Sequence, residues 1–242
     1  MEQANTKEVC ALKARIKFRK YGAMKFIGHL DVMRFFQKAM RRAEIPIAFT
    51  GGFSPHMIMS FANPLGVGVT SDAEYFDIEL AEDIDLNEAK TRLNSVMVEG
   101  IDIVNVVAIS DDKKKTGMSI VAAADYLSKP KYDSFPRGWQ EMVQSFWNQS
   151  QILIVKATKK SEKEVDIKPM IYELEAKDNA LFMKVATGSV ENLKPELVMK
   201  AFAKFLGLDD ENTSFSHHRL EIYANQGTEG ARDFIPLDKM TV

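Results

Sequence analysis

The chain has 242 residues, 45% apolar and 27% charged, with 32 Lys plus Arg against 34 Asp plus Glu and a formal net charge of -2, which is too apolar for a disordered chain and long enough for one large domain or two. Its single cysteine, Cys10, excludes a disulfide framework, a zinc knuckle and a multi-cysteine iron-sulfur loop within the chain. The start MEQANTKEVC lacks an apolar leader, and no window reaches the roughly 18 uncharged apolar residues of a membrane span, so a cytoplasmic protein without a membrane partner is expected.

Residues 1–11 read as an N-terminal extension. From Leu12 to Arg19 apolar and basic residues alternate, predicting a strand with one buried face and an exposed face made of Lys13, Arg15, Lys17 and Arg19. Leu30 to Ala43 has helical period: Val32, Met33, Phe36, Ala39, Met40 and Ala43 share one arc, and Arg34, Lys38, Arg41 and Arg42 lie opposite. These are either solvated faces or one basic surface that would bind phosphate backbones by charge and counterion release. The overall charge hides this pattern, because residues 1–60 carry a net +7, residues 61–112 a net -10 and the remainder +1.

Ile47 to Thr50 follows, then the turn-rich Gly51-Gly52-Phe53-Ser54-Pro55-His56 and the apolar run Met57 to Ala62, broken by Asn63-Pro64-Leu65-Gly66. Tyr75 to Leu80 alternates apolar and acidic residues, predicting a strand hairpinned with the preceding one that exposes its carboxylates. Asp85 to Glu88 has capping-box spacing at the head of a helix with the stripe Leu86, Ala89, Leu93 and Val96, ended by Gly100; Ile101 to Ile109 reads as a central strand. Residues 111–118 form a polar linker, so residues 12–110 make one β-α-β-β-α-β unit. Residues 119–225 repeat that order, with a strand at Ser119 to Leu127, helices around Trp139 to Trp147 and from Pro195 to Gly207, and a last strand at Phe215 to Ala224. Residues 226–242 are a tail expected to be loosely held. The predicted fold is α+β, two tandem ferredoxin-like (βαββαβ) domains.

The stretch Lys20-Tyr21-Gly22-Ala23-Met24-Lys25-Phe26-Ile27-Gly28-His29-Leu30-Asp31-Val32-Met33-Arg34, with Arg41-Arg42-Ala43 and Gly52-Phe53-Ser54-Pro55-His56, resembles the radical-SAM-linked family, a bacterial domain of unknown function encoded beside or fused to a cobalamin-binding radical SAM protein. The likeness covers most of residues 11–225. It implies a partner more than a reaction: a cobalamin-binding radical SAM protein that itself carries the S-adenosylmethionine, the iron-sulfur cluster and the cobalamin. Gly28 stands where the family generally has Ser, and Met57 where Pro often follows the second His. More loosely, the opening resembles the RAMP superfamily of CRISPR RNA endonucleases, an analogy of fold alone.

His29 and Asp31, at the junction of the first strand and helix, are candidates for proton transfer or phosphate holding, or else serve as capping residues. His56 sits where loop amides are exposed and a ring can stack on a base; Gly52, Phe53 and Ser54 share that loop, in which the alternatives are a turn needing positive φ and a core plug at Phe53. Lys159 and Lys160 with Asp166 form a second basic segment, which a solvated loop also explains. His217 and His218 point to opposite faces, one core and one surface, and no metal site is expected. No GxxxxGK[ST], GxGxxG, HExxH or GxSxG occurs. Three functions follow: an accessory subunit presenting RNA (tRNA or rRNA) to a radical SAM enzyme, a metal-independent RNA endonuclease using His29 and His56, and a docking module for protein alone.

Overall fold

The computed structural model describes residues 13–110, 112, 116–157, 162–208 and 213–240, without the side chains of 156, 157 and 162. The N-terminal extension with Cys10, and the candidates Lys159 and Lys160, lie outside the described residues.

The alternating segment builds β1 (Lys13–Lys20), sending Ala14, Ile16 and Phe18 into the core, and the helical period builds α1 (His29–Arg42), burying Val32, Phe36, Ala39 and Met40. β2 (Met59–Ala62) and β3 (Thr70–Glu79) follow. α2 (Leu86–Ser95) begins at Asp85, whose carboxylate accepts the Glu88 N–H at 2.8 Å as the capping box requires. At Gly100, φ is +98° and a Cβ would stand 2.7 Å from the Tyr21 carbonyl, so glycine alone fits where the chain enters β4 (Ile101–Ile109). The second half comprises α3 (Gly117–Ile120), β5 (Val121–Pro130), α4 (Trp139–Trp147), β6 (Leu153–Ala157), β7 (Glu162–Asp166), β8 (Ile171–Lys177), β9 (Ala180–Ala186), α5 (Pro195–Phe205), β10 (Phe215–Asn225) and β11 (Phe234–Pro236).

The protein is α+β and dominated by one nine-stranded mixed sheet in the order β4-β1-β3-β10-β5-β9-β8, with β2 on β3 and β11 on β10; β6 and β7 form a separate hairpin. Within each half the neighbours are antiparallel and the order recurs: β4-β1-β3-β2, then β10-β5-β9-β8. The halves join where β10 pairs in parallel with β3, Thr70 opposite His218 and Ser71 opposite Arg219. A linker between two domains does not anticipate this seam. Each half has its own apolar core. In the first, the rings of Phe18, Phe36, Phe61 and Phe76 meet at 4.6 to 6.3 Å between centroids. In the second, Trp139, Phe146 and Phe202 pack over β5, β9 and β10. Each such ring, once buried, contributes about 1.5–3 kcal/mol.

Ile47 to Thr50 makes only isolated bridges, Ile47 to Leu80 and Phe49 to Met57, and the strand hairpinned with β3 is β2, inside the apolar run Met57 to Ala62. Three expectations are corrected. The strand expected from Ser119 starts at Val121, because α3 occupies Gly117–Ile120. The polar faces of β1 and of the acidic strand β3 are largely covered, with Arg19 at the far end of β1 left exposed. Arg15 is 1% exposed and Asp77, Glu74 and Tyr75 are buried, because alternation identifies which residues share a face and not what covers it. The tail supplies part of that cover. It turns back through Asn225, whose side chain accepts the Gly227 and Asp233 N–H groups, pairs as β11 with β10, and buries Leu237 at 0% exposure.

Candidate functional site

The cations predicted on β1 meet the acidic segment inside the protein. Arg15 donates from Nε and Nη2 to the two carboxylate oxygens of Asp77 at 2.7 and 3.0 Å, and from Nη1 to the Leu237 carbonyl at 3.0 Å. Lys17 Nζ reaches Glu221 at 2.6 Å, and Arg19 Nε reaches Asp72 at 2.8 Å. The Tyr75 hydroxyl donates toward Glu221 and Asp238; burial first, and then these two carboxylates, push its pKa far above the ordinary phenol value. Lys13 is half-buried at the strand's start. As phosphate ligands, Arg15 and Lys17 are therefore overturned: their charges are already neutralised in a dry layer.

The α1 cations are exposed. Arg34 approaches Asp31 at 3.4 Å, Arg42 donates to the Val96 carbonyl at 3.1 Å, and Lys38 and Arg41 stand at the surface. Asp31 makes no side-chain cap, and the helix begins at Gly28 with none. His29 lies edge-on to Phe61 at 5.1 Å; burial, reinforced by Lys20, holds its pKa below the usual imidazole value. The Gly51–His56 loop projects into solvent with Phe53 fully exposed, so the core plug is ruled out, and Gly52 takes the positive φ of +99°. Ser54 is exposed with it, and His56 is bound within the loop, sharing a 3.0 Å hydrogen bond between Nδ1 and the Thr50 hydroxyl. Among the described residues no hydrogen bond or ring contact joins His29 to His56 or to Asp31. Asp166 serves the backbone, accepting the Ile152 and Lys168 N–H groups at 2.9 and 3.0 Å.

What the structure does bring together lies at the end of the sheet where β1 and β5 finish and β3 and β10 start. A cleft of about 480 Å³ opens there between the halves, lined by Lys25, Phe26, Lys131, Lys200 and His217. Each wall is tied within its own half: the Gly68 N–H donates to the Lys25 carbonyl at 2.7 Å in the first, and the Lys131 N–H to the Ser214 carbonyl at 2.9 Å in the second. Lys25 and Lys131 sit over the rings of Phe26 and Tyr132, both exposed aromatics. Beside it, a smaller cavity of about 220 Å³ lies between the loop at residues 63–66 and the start of α5.

Behind the smaller cavity, Arg219 is 1% exposed and forms an ion pair with Glu74, itself 4% exposed, while Nη1 donates to the Asn63 carbonyl at 3.0 Å. Lys20, 2% exposed, is the second cation beside Glu74 and reaches the Ile27 carbonyl at 3.5 Å. Burial lowers the Lys20 pKa and Arg219 adds to that, with Glu74 opposing. Two histidines complete this end. His217 Nδ1 shares a 2.8 Å bond with the Ser128 hydroxyl and its Nε2 lies 2.9 Å from Glu196; His218 is held likewise, by Thr70 at 2.8 Å and Asp72 at 3.0 Å. Each ring is thus fixed between a hydroxyl and a carboxylate, one on each face of β10. Sequence reading missed this site because its parts lie far apart: Glu74 and Arg219 are separated by 145 residues. The break Asn63-Pro64-Leu65-Gly66 and the His217-His218 pair marked parts of it without joining them.

Among the described residues no group of three or more His, Cys, Asp or Glu is placed to hold a metal ion, and no helix is long and apolar enough to cross a membrane. In the comparisons with known proteins, no curated protein matches the chain. Two solved structures are similar over 86% of it: a chain of a Cbf5-Nop10-Gar1 complex, 10% identical with a TM-score of 0.44, and an unknown protein from Galdieria sulphuraria, 12% identical with a TM-score of 0.27. The chain spans 48% of the former and 98% of the latter. The profile of a bacterial family described as an uncharacterized protein conserved in bacteria (DUF2344) matches residues 13–195, so the chain belongs to that family.

Proposed function

We propose that the protein is a binding subunit that presents RNA, of the tRNA or rRNA class, to a cobalamin-dependent radical SAM enzyme, with the S-adenosylmethionine, iron-sulfur cluster and cobalamin on the partner. The observation that carries this reading is the cleft between the halves. Lys25, Lys131 and Lys200 supply the positive groove that follows a phosphate backbone, and the exposed ring of Phe26 in the cleft, with that of Tyr132 outside it beside Lys131, supplies flat surfaces for unpaired bases. Exposed Arg34, Lys38 and Arg41 on α1 extend the basic surface. In this reading each half is a ferredoxin-like unit, on the strength of its recurring strand order, and β6 with β7 is an insertion into the second.

The partner contact is assigned to the Gly51–His56 loop. A phenylalanine held wholly in solvent, with Phe49 also exposed beside it, is the kind of apolar projection that a second protein covers.

The test is RNA affinity measured by filter binding across a salt series. Nanomolar-to-micromolar binding is expected at low salt, and Lys25→Ala with Lys131→Ala and Lys200→Ala should lower the slope of log affinity against log salt by about 0.7 per lost phosphate contact on a single strand. Absence of binding at low salt, or a slope unchanged in the triple variant, overturns the reading. Phe53→Ala should leave RNA affinity intact and abolish co-purification with the radical SAM partner.

A further inference from the structure

We propose that the larger cleft between the halves selects an unpaired guanine of the bound RNA, with Glu196 as the residue that reads the base. This deepens the RNA reading and rests on it.

The starting observation is a carboxylate where a phosphate groove has no use for one. Glu196 lines the same cleft as Lys25, Lys131 and Lys200, and its side chain keeps 41% of its surface exposed. A carboxylate repels a phosphate backbone, so among these lysines it subtracts from backbone affinity. What it supplies is acceptors, about four lone-pair sites on two oxygens. The groups of RNA that donate to such acceptors are the 2′-hydroxyls, which every nucleotide shares, and the N–H groups of the bases, which differ from one base to the next.

Glu196 is held in place for this task by groups that lie outside its own helix. Its Oε2 is 2.9 Å from His217 Nε2 on β10, and the opposite ring nitrogen shares a 2.8 Å bond with the hydroxyl of Ser128, fully buried on β5. A neutral ring that donates from Nε2 to the carboxylate accepts the Ser128 proton at Nδ1, so all three side chains are fixed by elements of the sheet and by α5 rather than by loops. The second oxygen, Oε1, has only Lys200 near it among the described residues, at 4.0 Å and beyond hydrogen-bond reach. One oxygen is anchored and the other is open to a ligand in the cleft.

Guanine is the base that matches a carboxylate. Its Watson–Crick edge carries two N–H donors side by side, at N1 and N2, and these meet both oxygens at once. Uracil has one N–H on that edge, and adenine and cytosine have one amino group beside an acceptor that faces the carboxylate unfavourably. The edge is accessible only in an unpaired nucleotide. The remainder of the cleft suits such a nucleotide. Its volume of about 480 Å³ falls within the roughly 300–1,000 Å³ of sites that enclose a small ligand. The Phe26 ring, 64% exposed, offers a face for stacking, and the lysines take the flanking phosphates.

The test uses the full chain and short single-stranded oligouridylates that carry one central guanosine, inosine, adenosine or cytidine, with the unsubstituted strand as reference, in fluorescence anisotropy at low salt. The guanosine strand should bind at least about tenfold tighter than the adenosine, cytidine and reference strands. Inosine, which keeps N1–H and lacks the N2 amino group, should lose most of that preference in the unaltered protein, and Glu196→Gln should bring the guanosine strand down to the level of the others. Equal binding of all strands overturns the inference and leaves the RNA reading standing, since a 2′-hydroxyl contact makes no distinction among bases. A preference for another base, or a guanosine preference that survives in Glu196→Gln, also overturns it. If no strand binds, the RNA reading fails, and titration with guanosine and adenosine monophosphates decides the cleft. Binding of the guanosine form alone, lost in Glu196→Gln, makes a free nucleotide the occupant, and binding of neither removes the guanine site.

Discussion

Two regions of this molecule are dense in cations, and they treat their charges in opposite ways. On the polar face of β1, Arg15, Lys17 and Arg19 each meet a carboxylate, from Asp77, Glu221 and Asp72 respectively, and the tail covers part of the layer. Where the halves meet, Lys20 and Arg219 share Glu74, and Lys25 and Lys131 rest on aromatic rings at the surface. The first arrangement is structural, since its charges are matched and, apart from the exposed Arg19–Asp72 pair, sequestered from water. In the second, Lys25 and Lys131 meet rings rather than carboxylates. A basic stretch of sequence therefore says how many charges are present, while the long-range partners decide which of them can act on something else.

Breaking the matched layer has the largest expected effect. Asp77→Ala strands the Arg15 guanidinium and the Gly117 N–H, and should lower unfolding free energy by about 3–5 kcal/mol in urea titrations. Leu237→Ala, which hollows the contact that holds the tail against the sheet, should cost about 2–5 kcal/mol in the same measurement and speed proteolysis after residue 225. Tyr75→Phe removes only the hydroxyl between Glu221 and Asp238 and should cost about 1 kcal/mol. Acidification sharpens the contrast from the other side. His29 has its folded pKa below the unfolded value near 6.5, so the stability tied to its neutral form is complete above that pH and is lost as pH falls through it. His29→Asn should flatten this slope between about pH 7 and 5. Smallest of all, Lys131→Ala with Lys200→Ala should shift stability by less than about 0.5 kcal/mol while RNA affinity falls, because their only contacts are a surface ring and a long surface ion pair.

Local features were readable from the residues alone. The helix expected at Leu30 to Ala43 spans His29–Arg42, the strand at Ile101 to Ile109 has those same ends, and the Asp85 cap forms as written. Each is governed by neighbours within a few positions, through side-chain period or a cap three residues away. What could not be read depends on contacts between distant segments. The alternation in β1 divided its residues between two faces correctly, yet nothing near Arg15 in sequence indicates that the carbonyl of Leu237 will close over it from 222 residues away. The candidate site suffered most, since none of the residues named for chemistry lines the cleft. His29 borders the region only through Lys20, and His56 lies in a loop bound to itself.

The two-residue parallel seam between β3 and β10 also constrains the order in which the protein can be built. Thr70 waits for a neighbour 148 residues further along, so during synthesis the first half stands with the near end of β3 unpaired until most of the chain has emerged. Closing a loop of that length makes completion of the sheet a late and slow event, after each half has collected its own apolar core. Because β10 is at once the neighbour of β3 and of β5, its docking completes the second half and welds it to the first in a single step. The cleft at that end therefore comes into being only with the finished fold.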